Sequence, residues 1–220
     1  MNNYKAALFD MDGTLFNTKR GIVKALRMAI EEYGLEPLKE SEEEQFIGPP
    51  IQKTVESFYK ISEERAIECA DLFRKYYREK DFVIECDLYD GMTDCLKKLK
   101  DNGVKLGIAS LKKEDMVLRI CDTYNITGYF DSIHGTDARD NLSKSDIIHI
   151  CMNESGISEN SEAVMIGDTR FDAMGAEEAG VPFLGVTYGF GFHSAEDVNA
   201  YKNIGAAASP MSITEFFINN

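Results

Sequence analysis

The feature that most constrains the fold is an apolar segment near the start of the chain that ends in two acidic residues. Residues 6–9 read Ala-Ala-Leu-Phe, and residues 10–14 read Asp-Met-Asp-Gly-Thr. A continuous apolar run is typical of a parallel strand covered on both faces, so Asp10 should lie at the carboxyl end of a central strand, where open α/β sheets place their sites. Asp12 projects to the same side as Asp10, and Gly13 permits a sharp turn. Because like charges this close repel, the pair needs a cation or a shared proton.

Three further polar positions follow in chain order, each beside a predicted strand or helix. Ser110 ends an apolar run, Lys144 opens an amphipathic stretch, and Asp168 follows a buried-strand pattern with Asp172 four residues later. Each of these residues is common at such a position, so only their order along the chain is informative. Together with residues 10–14, these segments resemble the motifs of the haloacid dehalogenase superfamily, whose first motif reads Asp-x-Asp-x-Thr. The resemblance covers nearly the whole chain and looks closest to phosphoglycolate phosphatase-like proteins.

The periodicity of apolar residues predicts two interleaved domains. After Thr14 the pattern is helical for about seventy residues, and from residue 89 onward helices and strands alternate, as a doubly wound α/β sheet requires. We therefore expect a core domain over residues 1–16 and 87–220 and a helical-bundle domain over residues 17–86. The resemblance implies a parallel sheet of strand order 3-2-1-4-5, with the bundle as a cap of the arrangement called C1.

Local signals place four helices in the inserted bundle. Thr18 is a candidate N-cap for a first helix that Gly34 ends, and Ser41 with Glu44 reads as a capping box for a short second helix. A third helix is expected over 51–59, and Ser62 should open a fourth. In the core, residues 183–186 are the last strand that the pattern predicts.

The resemblance implies a role for each of the acidic positions. Asp10 would be a nucleophile that forms an aspartyl-phosphate, and Asp12 would be the general acid and base. A hard divalent cation held by oxygen ligands fits Mg²⁺. The expected ligands are the Asp10 carboxylate, the Asp12 backbone carbonyl and Asp168, with Asp172 a ligand or a neighbour of the ligands.

The same resemblance assigns groups to the phosphate and to the rest of the substrate. The expected phosphate-binding residues are Thr14, Ser110, Leu111 and Lys144, and backbone N–H groups near Gly13 are further candidate donors. In the bundle, Gly48 and Lys53 are weaker candidates for contacts with the substrate. Lys112 stands close to where the family often has a substrate lysine, but Leu111 intervenes, so a role for Lys112 is in doubt.

The composition of the chain narrows the classes of molecule that it is expected to bind. The 220-residue chain has a net charge of −14 and a sequence pI near 4.7, which disfavours nucleic acid and offers no basic surface for a membrane. Five cysteines without metal-binding spacing indicate free thiols, and no apolar run reaches the roughly 18 residues that a spanning helix needs. We expect a cytoplasmic enzyme, a monomer or homodimer, acting on a small-molecule phosphate ester.

Several other functions share parts of this pattern. Dehalogenases of the superfamily lack the second acid, so Asp12 favours a phosphatase over a dehalogenase. A β-phosphoglucomutase-like mutase shares every core motif and stays open, as does a non-catalytic phosphate-binding protein of the same fold. A receiver-like signalling module would be about 120 residues long and would lack the helical insertion.

Overall fold

The computed structural model describes residues 4–137 and 141–218, where a segment of helices interrupts an alternation of strands and helices. The strands are β1 (Ala6–Phe9), β2 (Phe16–Asn17), β3 (Asp87–Leu88), β4 (Lys105–Lys113), β5 (Ser132–Thr136), β6 (Ala163–Gly167), β7 (Phe183–Val186) and β8 (Gly205–Ala207). The α-helices are α1 (Lys19–Tyr33), α2 (Ile51–Tyr59), α3 (Glu63–Glu79), α4 (Met92–Asp101), α5 (Glu114–Thr123), α6 (Lys144–Glu154), α7 (Arg170–Ala179), α8 (Ala195–Asn199) and α9 (Pro210–Ile218).

Six of the strands form one parallel sheet in the order β5-β4-β1-β6-β7-β8. All four residues of β1 are buried, and Phe9 is in register with Ile108 on one side and Ile166 on the other. The expected doubly wound α/β sheet with a central first strand is therefore confirmed. The sheet has one strand more than the sequence pattern predicts, because β8 reads Gly-Ala-Ala and lacks the β-branched residues that mark a strand.

The chain divides into two compact units. The first comprises Met1–Phe16 and Leu88–Asn220, and the second comprises Asn17–Asp87. The first unit contains the six-stranded sheet with α4 to α9, and the second contains α1, α2 and α3. The short strands β2 and β3 pair with each other at the two points where the chain passes from one unit to the next.

The helices of the second unit follow the predicted amphipathic pattern, but two of the predicted caps are wrong. Thr18 occupies the N-cap position of α1, yet its side chain makes no capping hydrogen bond. The predicted end of α1 at Gly34 is confirmed, since Gly34 has the left-handed conformation of a C-cap. The predicted Ser62 cap is also confirmed, because its side chain accepts a hydrogen bond from the Arg65 N–H. The predicted capping box at Ser41 is wrong. The segment Glu40–Phe46 is a 3₁₀ helix that begins after Lys39, whose N–H donates to a Glu42 carboxylate oxygen at 2.8 Å.

In the first unit, apolar side chains of α6 and α7 pack against the buried sheet strands. Ile147 and Ile148 of α6 and Ala176 of α7 belong to the same buried cluster as Leu8 and Met165 of the sheet. This packing fixes the beginnings of both helices relative to the carboxyl ends of β1 and β6. Within the described ranges, no helix combines the length and the apolar character that crossing a membrane would require.

Candidate active site

The site is centred on Asp10, the first residue after β1. Its backbone N–H donates to the Ile166 carbonyl of β6 at 2.9 Å, so the main chain is still held in the sheet where the side chain leaves it. Only 8% of the residue is exposed. A carboxylate in such surroundings loses most of its hydration and depends on nearby groups for compensation.

Lys144 supplies part of that compensation. Its Nζ lies 2.7 Å from Oδ1 of Asp10 and 2.6 Å from Oδ1 of Asp172. Lys144 is the first residue of α6, and Ser143 caps this helix by accepting a hydrogen bond from the Asp146 N–H at 3.1 Å. One ammonium group thus bridges the carboxylate that follows β1 and a carboxylate from the first turn of α7.

The stem of Lys144 passes directly over Gly175 of α7. A Cβ atom added to Gly175 would lie 2.4 Å from Cγ of Lys144, closer than side chains approach one another. A glycine inside a helix costs stability because it gains conformational freedom in the unfolded chain. Here the missing side chain provides the space in which Lys144 reaches the carboxylates.

Both oxygens of the Asp172 carboxylate have partners. Oδ2 accepts hydrogen bonds from the Thr169 N–H at 3.0 Å and from the Thr169 hydroxyl at 2.7 Å, which completes a capping box at the start of α7. Oδ1 faces Lys144. Asp172 therefore caps α7 and also pairs with the Lys144 ammonium group.

Asp168 is completely buried at the end of β6. Its Oδ2 accepts hydrogen bonds from the N–H groups of Phe190 and Gly191, at 2.7 and 3.3 Å, and its Oδ1 lies 3.4 Å from the Thr14 hydroxyl. A Cβ on Gly13 or on Gly189 would lie 2.2 or 2.4 Å from the same Oδ2. Two glycine turns therefore allow the backbone to surround this carboxylate.

Burial changes the proton affinity of these groups. Desolvation by burial, with repulsion from Asp172 and Asp12, raises the pKa of Asp10 to about 7 despite the attraction of Lys144. Burial and then repulsion from Asp172 and Asp10 raise the pKa of Asp168 well above its usual range. Burial alone would lower the pKa of Lys144, but the Asp10 and Asp172 carboxylates outweigh burial, so its pKa is raised.

The carboxylates are arranged as a hard divalent cation would require. Asp10, Asp168 and Asp172 each offer an oxygen, and these oxygens lie within 4.8 Å of one another. An all-oxygen, carboxylate-rich donor set is the kind that Mg²⁺ and Ca²⁺ prefer. Oδ1 of Asp172 lies 2.6 Å from the Lys144 ammonium, whereas the partners of Asp168 are uncharged N–H and hydroxyl groups, so Asp168 fits the role of a direct ligand better than Asp172 does.

The second acid of the pair, Asp12, lies in the turn after β1 and faces β4. Its Oδ2 is 3.0 Å from Nζ of Lys112, whereas its Oδ1 is buried and has no hydrogen-bond partner among the described residues. On the same strand Ser110 is 2% exposed, and its hydroxyl oxygen accepts the Lys112 N–H at 3.3 Å. Leu111 between them is half-buried.

One of the candidate binding groups is engaged within its own turn, and two others belong to the second unit. The Gly13 N–H, a candidate phosphate donor, donates instead to the Phe16 carbonyl at 2.8 Å because the turn closes on itself. Gly48 and Lys53 belong to the second unit, where Gly48 has a φ of 97° before α2 and Lys53 is exposed on that helix. Their contact with substrate stays a prediction.

Sequence reasoning missed the packing role of Gly175 and the partner of Tyr188, although the resemblance to the family places residues 188–191 near Asp168. Gly175 gives room to Lys144, and the Tyr188 hydroxyl donates to the Thr14 carbonyl at 2.9 Å. A glycine inside a helical pattern was a readable signal, since such a residue commonly has a packing reason. The Tyr188 contact spans 174 residues of sequence, and no local pattern encodes it.

Comparisons with known proteins agree with this geometry. A sequence model described as haloacid dehalogenase-like hydrolase matches residues 7–186. A 5'-nucleotidase of Pseudomonas aeruginosa is 29% identical over 200 residues, which cover 90% of this chain and 89% of the relative. A phosphoglycolate phosphatase of Aquifex aeolicus is 30% identical over 84% of this chain and 86% of the relative. The crystal structure of a predicted phosphatase from Clostridium acetobutylicum superposes with a TM-score of 0.90 at 30% identity, covering 99% of each chain.

Proposed function

Because the chain belongs to the haloacid dehalogenase-like hydrolase family, we propose that it is a magnesium-dependent phosphatase that hydrolyses a small phosphate monoester through an aspartyl-phosphate on Asp10. The observation that carries the proposal is the contact set of Lys144 with Asp10 and Asp172, beside the buried Asp168. This set joins a nucleophilic carboxylate, a neutralising cation and a candidate metal site in one place.

In the first half of the reaction, the Asp10 carboxylate attacks phosphorus and the bond from phosphorus to the ester oxygen breaks. Lys144 offsets the negative charge of Asp10, which allows one anion to approach another. Asp12 gives a proton to the departing alcohol oxygen. The Ser110 and Thr14 hydroxyls, the Leu111 N–H and Lys144 are the candidate partners of the other phosphoryl oxygens.

In the second half, water attacks the phosphorus of the aspartyl-phosphate, and Asp12 accepts the proton that the water loses. The bond from phosphorus to the Asp10 oxygen breaks, so Asp10 is regenerated as a carboxylate and inorganic phosphate leaves. Both halves use the same two acids, and only the direction of proton transfer differs.

The charge of the site supports a requirement for a divalent cation. Asp10, Asp12, Asp168 and Asp172 carry four formal negative charges, and Lys112 and Lys144 carry two positive ones. A phosphate dianion would meet net repulsion from such a site. Magnesium held by Asp10, Asp168 and the Asp12 carbonyl would supply the missing positive charge and polarise a phosphoryl oxygen.

We test the metal requirement by phosphate release before and after exhaustive chelation, with Mg²⁺ or Ca²⁺ added back. We expect chelation to abolish release and Mg²⁺ to restore it. Ca²⁺ is the matched control, because it takes the same oxygen ligands but with looser coordination that should misplace the nucleophile. Undiminished release after chelation would contradict the proposed mechanism.

The substrate is proposed only as a class. The two curated relatives are named for different phosphate monoesters, and the buried core groups recognise the phosphoryl group that all such esters share. A panel of phosphoglycolate, nucleoside monophosphates, sugar phosphates and inorganic pyrophosphate, assayed for released phosphate, identifies the preferred ester. Transfer of the phosphoryl group to a sugar phosphate in place of water would identify the mutase alternative.

We also propose a cytoplasmic location. All five cysteines are buried, and Cys69, Cys95 and Cys151 are free thiols, which is the usual condition of cysteine in a reducing compartment. Oligomeric state stays a prediction of monomer or homodimer, for which sedimentation of the purified chain is the measurement.

A further inference from the structure

The two oxygens of the Asp12 carboxylate have different surroundings. Oδ2 is paired with Nζ of Lys112 at 3.0 Å, and the two side chains are 15% and 6% exposed. Oδ1 is buried without a hydrogen-bond partner among the residues that the structure describes. A buried polar oxygen without a partner costs free energy, so such an atom calls for an explanation.

The position of Lys112 on the sheet makes this contact a fixed one. Lys112 lies near the end of β4, the strand that pairs with β1, and its backbone N–H donates to the Ser110 hydroxyl oxygen. Asp12 lies in the turn that follows β1, where the Met11 carbonyl accepts hydrogen bonds from the N–H groups of Leu15 and Phe16. Both ends of the ion pair are therefore attached to ordered backbone.

We propose that Lys112 is a positioning residue that holds Oδ2 of Asp12, so that Oδ1 is the oxygen that exchanges a proton with the leaving group and then with water. The inference rests on the proposed phosphatase function and assigns it a residue that the sequence left in doubt. Oδ1 has no partner among the described residues because its partner is the reacting oxygen. In the first half-reaction the proton passes from Oδ1 to the ester oxygen as its bond to phosphorus breaks, and in the second Oδ1 takes a proton from the attacking water.

The test compares leaving groups that differ in their need for a proton. We use p-nitrophenyl, phenyl and benzyl phosphate, which are similar in size and carry the same phosphoryl group. Nitrophenolate departs without protonation, whereas benzyl alkoxide does not. The quantity compared is kcat/KM, because it reports the steps up to leaving-group departure and not the later hydrolysis of the aspartyl-phosphate.

Replacement of Lys112 by Met should act selectively. We expect Lys112→Met to lower kcat/KM for benzyl phosphate by about tenfold or more, and that for p-nitrophenyl phosphate by about threefold or less, since general acid catalysis contributes only where a proton is needed. Lys112→Arg keeps a cation near Oδ2 and should recover most of the loss. Lys105→Met is the matched control, because it removes a 2.8 Å Lys–Asp pair from the opposite end of the same strand and should change none of the three values.

A double-mutant cycle with Asp12→Asn shows whether Lys112 acts through Asp12. If it does, adding Lys112→Met to Asp12→Asn should change the benzyl to p-nitrophenyl ratio no further. Equal losses for all three esters would overturn the inference, because they would indicate a structural role or binding of the phosphoryl group. If Lys112→Met does not fold, Lys112→Gln, which also removes the cation, carries the same comparison: a selective loss for benzyl phosphate is expected, and an unchanged benzyl to p-nitrophenyl ratio is the contrary result.

Failure of this inference is distinguishable from failure of the proposed function. A wild-type chain that releases no phosphate from any ester, or an Asp10→Asn variant that releases it normally, would remove the phosphatase proposal itself. A selective loss in Asp12→Asn without one in Lys112→Met would leave the phosphatase proposal intact and remove only the role of Lys112.

Discussion

At the scale of single residues, the charges of the site depend on one another. Lys144 shares one ammonium group between Asp10 and Asp172, at 2.7 and 2.6 Å. Burial raises the pKa of Asp10 to about 7, so a charged Asp10 at neutral pH carries a cost in folding free energy. Lys144 keeps a carboxylate partner in Asp172 if Asp10 becomes neutral.

We predict that Asp10→Asn abolishes turnover and leaves the fold intact. Loss of the nucleophile should lower the rate by more than about a hundredfold, which corresponds to about 3 kcal/mol of transition-state stabilisation. Steady-state phosphate release and circular dichroism measure the two outcomes. A variant that keeps more than about a hundredth of the wild-type rate would show that Asp10 is not the nucleophile.

The same substitution should change how stability depends on pH. The pKa of Asp10 rises from 3.8 to about 7 on folding, so between these values the folded state binds more protons and wild-type stability falls as pH rises. Asp10→Asn removes this contribution. The thermal midpoint of the metal-free variant should therefore equal or exceed that of the wild type, by a margin that grows from about pH 5 to about pH 7.5. A margin that shrinks with rising pH would contradict this account.

Individual site residues were predictable from sequence where a strand end or helix start marks them. Asp10 and Asp168 follow apolar strands, and Lys144 opens a helix, so local patterns locate all three. Their roles stay proposals, but their meeting in space follows from the parallel sheet. The Lys112 contact with Asp12 was not predictable, because the family pattern suggested a substrate role and the length of β4 beyond Ser110 was not visible in the apolar run.

At the scale of elements, α6 and α7 approach each other closely beside the site. Gly175 allows the stem of Lys144 to cross α7, since a Cβ there would lie 2.4 and 2.5 Å from Cγ and Cβ of Lys144. Side chains this close would have to move by a large fraction of an ångström. Such a movement of the Lys144 stem would displace its Nζ, which contacts Asp10 and Asp172.

We predict that Gly175→Ala lowers kcat/KM by about tenfold or more while the protein still folds, because small misplacements of a positioning group are costly. Overpacking should reduce stability by about 1–3 kcal/mol. Gly128→Ala is the matched control, because a Cβ at Gly128 meets no atom within 4 Å. Equal kinetics for the two variants would show that Lys144 can shift without loss of function.

Elements with strong periodicity were predicted closely, and those that rest on weak signals were not. The bounds of α2 and β7 agree with the pattern, because apolar residues repeat with the helical period in α2 and form a short continuous run in β7. The predicted cap at Ser41 failed because Glu42 bonds back to the Lys39 N–H and starts the turn two residues earlier. Strand β8 was missed because small residues give no strand signal, although its place beside β7 is set by the sheet.

At the scale of the whole molecule, the candidate chemistry belongs to one of the two units. Asp10, Asp12, Lys112, Lys144 and Asp168 all lie in the unit formed by Met1–Phe16 and Leu88–Asn220, although they are spread over most of the sequence. The helical insertion interrupts that unit directly after the turn that holds Asp12 and Thr14. The periodicity of the sequence predicted this insertion, but identification of the ester requires the substrate panel, since the proposed chemistry addresses only the phosphoryl group.

The net charge of the molecule leads to a prediction for the salt dependence of catalysis. A chain of net charge −14 repels a phosphate dianion at long range, and this repulsion is screened as the Debye length falls from about 30 Å at 0.01 M salt to about 8 Å at 0.15 M. At constant free Mg²⁺, kcat/KM should therefore rise severalfold over this range. The value of kcat should change little, because long-range repulsion opposes substrate binding and not the reaction of bound substrate. Potassium chloride and choline chloride should give the same curve if screening is the cause. A fall in kcat/KM with added salt would mean that the cations close to Asp10 and Asp12, together with the bound metal, outweigh the acidic surface in attracting the substrate.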